Sequence, residues 1–192
     1  LADHLHPSEV TRRQAVERAR TEPLAYAPGT QSIYSDLGLI LVGDAVERAG
    51  VPLREGFARL AGDRAIGFGP CPDALPTEGP RGVVHDDNAK AMLGVAGHAG
   101  LFGHARAVSS LVRDWVDAWH GDDRVFLPAL VQRCWDKTTP VPRSTWGLGW
   151  DHPSRMYSSV GDAWPRTGVG HLAFTGCSVW IDPPRRRWVV LL

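Results

Sequence analysis

The sequence predicts an α+β fold, and three observations lead there. Apolar residues recur at helical spacing in several segments of residues 1–137. After Thr138 the chain turns to alternating, aromatic and β-branched runs. Throughout, 21 glycines and 15 prolines cut it into short, separate segments. Helices first and strands last is the order of an α+β domain rather than of repeated β-α-β units. The 192 residues suffice for one ordinary domain, read as a mostly helical region, 1–137, followed by antiparallel strands, 138–192.

Each element has its own local reason. The first helix is expected from Ser8, whose hydroxyl can cap the first-turn N–H groups, to about Arg20, before Pro23. A Pro28-Gly29 turn leads to a second helix over 36–49, with Leu37, Ile40, Leu41, Ala45 and Val46 on one face and Gly50 past its end. Pro52 opens a third helix carrying Leu53, Phe57 and Leu60. Residues 62–82 lack periodicity and read as loop, a short helix follows from Asp86 or Asp87, and Gly94, Gly97, Gly100 and Gly103 punctuate a tight connection. Residues 105–119 give the cleanest helical stripe, Val108, Leu111, Val112, Trp115 and Trp119, and 128–135 another short helix. Trp146 to Trp150 alternates like a strand. Gly170 to Ile181 reads as one strand and Trp188 to Leu192 as its antiparallel neighbour across Asp182-Pro183-Pro184. So few strands make a thin sheet with bare edges, which predicts further strands outside this chain and self-association through the open edges.

Composition narrows the function. Apolar residues at 43% and charged residues at 22% describe a soluble globular domain with a core, not a disordered chain. Lys plus Arg and Asp plus Glu both count 21, so no basic stripe marks a nucleic-acid partner. The run Arg185-Arg186-Arg187 reads as a solvated turn before a strand. No stretch approaches the roughly 20 apolar residues of a membrane span. Cys71, Cys134 and Cys177 lie far apart, which argues against a disulfide framework or a zinc cluster.

Three polar stretches could carry chemistry. Tyr34-Ser35-Asp36 lies where a turn enters a helix, a place from which a phenol can point outward. A phenol titrates near 10, so base work at neutral pH needs a cationic neighbour. The plainer reading makes Asp36 an N-cap and Tyr34 a half-buried packing residue. His85-Asp86-Asp87-Asn88 and His98 through His104 contain metal-ligand types, but without metal-site spacing they read as histidines satisfied by backbone carbonyls. His171-Leu172-Ala173-Phe174-Thr175-Gly176, on the expected strand, places an imidazole beside backbone N–H groups, as an acyl-transfer site needs, or simply packs across strands.

In order, these stretches resemble the serine β-lactamase and penicillin-binding-protein family, in its class C and esterase-like branch. The resemblance rests on Pro28-Gly29 with Tyr34-Ser35-Asp36-Leu37-Gly38, on Gly82 to Asp86 with Gly97 to Phe102, and on Gly170-His171 through Phe174-Thr175-Gly176 with Val179 to Pro183. It implies a partial β-lactamase/transpeptidase-like fold and a mechanism in which the Ser of a Ser-x-x-Lys element attacks a carbonyl while Lys and Tyr move its proton. By position, Tyr34 would be the general base or acid, Asp36 would bond the Lys or the substrate amide, and His171 would face the substrate. Phe174 would give a backbone N–H to the oxyanion hole, with Thr175 beside it. No cofactor or metal is implied; the partner is a small-molecule or cell-wall-peptide substrate, and the compartment is periplasmic or extracytoplasmic.

The departures are also specific. No serine here has Lys three positions on, so the nucleophile is expected before Leu1 and the chain alone is expected to be inactive. Leu172 and Ala173 stand where the family's strand motif has Thr and Gly. A lost hydroxyl and an added methyl weaken the hold on a substrate carboxylate. Two rivals follow: a non-catalytic cell-wall-peptide-binding domain on the same fold, and a metal-dependent hydrolase using His85, His98 and His104.

Overall fold

Alanines decide how the first helices meet. In this computed structural model, which describes residues 12–75, 78–137 and 141–192, Ala15 and Ala19 on α1 (Arg12–Thr21) are buried against Ile40 of α2 (Asp36–Arg48). Ala89 of α4 (Asp87–Ala91), Met92 and Ala96 complete that core. Ser8, expected to begin α1, lies outside the described residues. Small side chains let the backbones approach closely, and one approach is extreme. A Cβ on Gly97 would sit 2.1 Å from the carbonyl oxygen of Leu39, so only glycine lets the loop before His98 lie on α2. Arg12 fastens the same layer, reaching Glu47 at 2.8 Å and donating to the carbonyl of Val95.

The third helix, α3 (Leu53–Ala61), starts after Pro52 as the sequence suggests, and Arg54 donates to the carbonyls of Phe68 and Gly69 at 2.9 and 2.7 Å. Those carbonyls belong to a feature the periodicity hides. β1 (Ile66–Phe68) pairs antiparallel with β2 (Leu101–Gly103), Ile66 opposite Gly103. Both strands fall in stretches read as loop and glycine-rich connection. Three residues are too few to display alternation, and the pairing joins segments far apart in sequence. These elements form one compact unit, residues 1–25 and 33–103; residues 26–32 and 104–192 form a second.

In the second unit aromatic rings frame an aliphatic core. Along α5 (Ala105–Trp119) Val112, Val116 and Ala118 are buried, and α6 (Pro128–Trp135) adds Val131 and Trp135. Trp115 stacks on Trp135 at 5.9 Å and meets Phe126 and Trp150 at 4.6 and 5.3 Å, close to the spacings aromatic pairs favour. A three-stranded antiparallel sheet in the order β3-β4-β5 packs here, through Val169 of β3 (Val169–Leu172) and Ile181 of β4 (Ser178–Asp182). β5 (Arg187–Leu191) is tied to α5 by Trp188 Nε1 donating to Ser109 Oγ at 2.6 Å.

The single strand expected over 170–181 is two strands joined by a turn. Gly176 adopts φ +93°, and two backbone bonds close the turn on Ala173: Gly176 N donates to Ala173 O at 3.0 Å and Ala173 N donates to Cys177 O at 2.8 Å. A left-handed residue reverses the chain where β-branched composition alone suggested continuation. Trp146 to Trp150 forms isolated bridges rather than a strand, with Trp146 opposite Asp151 and Asp151 opposite Gly170. The second hairpin turns where Asp182-Pro183-Pro184 predicts. Its basic run is not simply solvated, however: Arg185 and Arg187 approach the buried Asp182 at 3.2 and 3.5 Å, and Arg186 reaches Asp117 at 2.7 Å. Among the described residues no helix is long and apolar enough to cross a membrane.

Candidate active site

The head of α2 gathers the polar groups of the first unit. Ser35, not Asp36, is its N-cap: the Ser35 hydroxyl accepts from Leu37 N at 3.3 Å, and Asp36 is the first helical residue. Asp36 is thereby released from capping and points its carboxylate sideways. Asn88, only 3% exposed, donates from Nδ2 to Asp36 Oδ2 at 3.3 Å. Asn88 lies in α4, whose own N-cap is Asp86; the Asp86 Oδ1 accepts from Ala89 N at 2.6 Å. The same oxygen is 2.7 Å from His98 Nε2, and the His98 side chain is 3% exposed. Histidine next to a glycine loop was expected to find a backbone carbonyl; His98 finds a carboxylate instead. A carboxylate can only accept, so Nε2 is assigned the proton.

Tyr34 stands beside this group and is 53% exposed, not a packing residue. Its phenol titrates above the ordinary value, first because of partial burial, then because the carboxylates of Asp36 and Asp86 oppose a phenolate. Carboxylates thus surround the phenol where base work asks for a cation.

Asp36, Asp86 and His98 bring their ligand-type atoms within 4.8 Å of one another. The set differs from the His85, His98 and His104 imagined from the sequence. His85 pairs with Glu78 at 3.1 Å, and His104 caps α5, its Nδ1 accepting from Ala107 N at 3.2 Å. Hydrogen bonds to Ala89, Asn88 and between Asp86 and His98 already engage the clustered atoms, which favours a structural assembly over a metal centre.

The second unit carries the strand motif. His171 lies on β3 opposite Val179, and its ring meets Trp146 edge-on at 5.5 Å. Phe174 and Thr175 occupy the β3–β4 turn; Phe174 is 90% exposed, and Thr175 Oγ1 lies 3.9 Å from Cys177 Sγ. Nearby, His152 places Nδ1 at 3.2 Å from the carbonyl of Gly168, and burial holds its imidazole below the ordinary value despite that bond. The structure therefore assembles Tyr34 and Asp36 with Asp86, Asn88 and His98 in one unit, and His171 with Trp146 in the other. Trp146 was not expected as a site residue; Asn88 and the Asp86–His98 pair were expected only in stretches of metal-ligand types, not as partners of Tyr34 and Asp36. The dense His-Asp-Asp-Asn stretch and the glycines before His98 were the visible signal for the latter two.

Helices that precede a small antiparallel sheet, a Tyr-Ser-Asp element at a helix start, and a strand running from His171 to a Thr-Gly turn define a scaffold of the β-lactamase and penicillin-binding type, present in part. All of residues 1–192 matches the family described as Beta-lactamase, and the chain belongs to it. The chain is 30% identical to an Escherichia coli (strain K12) protein named "Putative D-alanyl-D-alanine carboxypeptidase", over 93% of this chain and 48% of that one. A Salmonella agona (strain SL483) protein of the same name is 28% identical over 92% of this chain and 48% of its own length. This chain therefore spans about half the length of these relatives. Among solved structures, EstCE1, "a hydrolase with promiscuous acyltransferase activity", superposes with a TM-score of 0.70 at 21% identity, covering 99% of this chain and 58% of that one. A β-lactamase from Mycobacterium bovis gives 0.61 at 15% identity, over 97% of this chain and 62% of that one. At such identities the likeness is one of fold.

Proposed function

We propose that the full-length protein bearing this chain is a serine hydrolase working through an acyl-enzyme, and that residues 1–192 supply its proton-transfer and substrate-facing groups but not its nucleophile. The carrying observation is Tyr34 with Asp36 at the head of α2, in a chain of the Beta-lactamase family. In this reading a serine from a Ser-x-x-Lys element attacks an acyl carbonyl. Its Oγ–C bond forms as the proton passes to the Lys and Tyr34 pair, and the carbonyl–leaving-group bond breaks as that proton moves to the leaving group. Water then hydrolyses the acyl-serine by the same route. Tyr34 gives the reading its electrostatic sense: a phenol raised by burial and by Asp36 and Asp86 needs a cation beside it before it can act as a base at pH 7, and the Lys carries that charge. The Phe174 backbone N–H donates to the developing oxyanion, with His171 and Thr175 along the same strand and turn.

The names of the relatives support a peptide amide ending in D-alanine as substrate, and the EstCE1 fold supports an ester. Leu172 in place of a hydroxyl favours a neutral acyl group over one held by its carboxylate. The test is intact mass of the full-length protein with and without a fluorophosphonate. A single adduct on a serine outside residues 1–192, absent when the chain of 192 residues is treated alone, is expected. A folded full-length protein that takes no adduct overturns the reading in favour of a non-catalytic cell-wall-peptide-binding domain.

A further inference from the structure

We infer that His98 and Asp86 are positioning residues for Tyr34 and Asp36: the pair holds α4 against α2 so that Asn88 fixes the Asp36 carboxylate beside the phenol. This rests on the hydrolase reading. Three observations on different segments converge on it. One oxygen of Asp86 serves two masters, accepting the α4 capping bond from Ala89 N at 2.6 Å and facing His98 Nε2 at 2.7 Å, so the ring and the helix start cannot move independently. Asn88, two residues into the helix that Asp86 caps, is almost wholly buried and donates to Asp36 at 3.3 Å. The backbone before His98 is pinned to α2 by the contact that Gly97 makes with Leu39 and Gly43, which fixes the ring relative to the helix that presents Asp36 and follows Tyr34.

Polar groups in a largely buried place are held by their partners, and losing one partner releases the next. His98 contacts no reacting atom in the proposed chemistry; it acts through Asp86 and Asn88. Among the described residues its buried Nδ1 has no hydrogen-bond partner, and the Asp86 contact orients the ring. The arrangement differs from a simple stability device because its last link is the carboxylate next to the phenol, and small displacements of a proton-transfer group are expensive in rate.

Full-length wild type, His98→Ala, His98→Gln and Asp86→Asn would be compared in two ways. The first is turnover of a p-nitrophenyl ester, with kcat expressed per fluorophosphonate-titratable serine so that unfolded protein does not count. The second is the ¹³Cζ resonance of Tyr34 at one pH, assigned by Tyr34→Phe. Removing the ring in His98→Ala is expected to lower kcat about tenfold to a hundredfold with KM changed less than about threefold, the pattern of a misplaced reacting group. His98→Gln, whose amide can still donate to Asp86, should recover most of that loss and return the Tyr34 resonance toward wild type. Asp86→Asn keeps the one oxygen that accepts from both Ala89 N and His98 Nε2, so it should keep the fold and lose less rate than His98→Ala does. A folded His98→Ala with wild-type kcat, or with a lower melting temperature as its only change, overturns the inference and leaves the hydrolase reading standing. Absence of an adduct in the wild type overturns that reading, and the Tyr34 resonance then decides the positioning role alone: displaced by His98→Ala and restored by His98→Gln supports it, unmoved overturns it.

Discussion

The two compact units solve the same packing problem with opposite materials. In the first, the buried cluster among the described residues rests on the alanines Ala15, Ala19, Ala89 and Ala96, joined by Ile40 and Met92. In the second, Trp135 is buried among Val112, Val116, Val131, Val169 and Ile181, with Trp115, Trp119, Trp150 and Trp188 packed around it. Small residues bring backbones close and leave stability to polar ties such as Arg12–Glu47 and the Asp86–His98 pair. Aromatic residues bury large areas and need fewer ties. The difference shows what each core carries: the hydrogen-bonded carboxylates beside the phenol sit on the small-residue core, and the strand presenting His171 and the exposed Phe174 turn sit on the one framed by tryptophans.

The strongest way to break this contrast is to remove the aromatic anchor. Trp135→Ala should destabilise the protein by about 3–5 kcal/mol, the cost of deleting a large buried side chain and leaving a cavity. Hydrogen exchange should show the loss first in α5, α6 and the β3–β5 sheet; equal loss in α1 and α2 would mean the cores are not distinct. In the first unit the sensitive position is a glycine. Gly97→Ala, whose methyl would collide with the Leu39 carbonyl, should cost about 1–3 kcal/mol as an overpacking change. Denaturant unfolding would measure it, and a neutral result would show that α2 and the 97–98 loop can slide apart.

The smallest effect sharpens the contrast by pH. His152 has a folded-state value below its unfolded one, chiefly from burial. Between the two values the unfolded chain binds more protons, so the contribution to stability is present above about 6.5 and is lost as pH falls below it. The fall in melting temperature on acidification should be reduced in His152→Gln; an unchanged pH slope would rule out His152 as its source.

Much of the helical framework was legible because its signals are local. Proline and glycine punctuation, helical stripes and capping preferences placed α2, α3, α4, α5 and α6 within a few residues, and Asp182-Pro183-Pro184 gave the second hairpin. The β1–β2 pair was not legible, since three-residue strands meeting across a long interval carry no period. Nor was the break at Gly176, where backbone handedness overrides β-branched composition.

For the site, the sequence by itself determined which residue types stand in family order: Tyr34, Asp36, His171, and Phe174 with Thr175. It also determined that no Ser-x-x-Lys occurs among these residues. Tertiary structure alone decided the partners. Asp36 was free to serve as an N-cap until Ser35 took that role, and His98 was free to bond a carbonyl until the Gly97 contact turned it onto Asp86. Local preferences follow from each residue's own backbone, whereas hydrogen-bond partners depend on which distant segments the packing brings within 3 Å of one another.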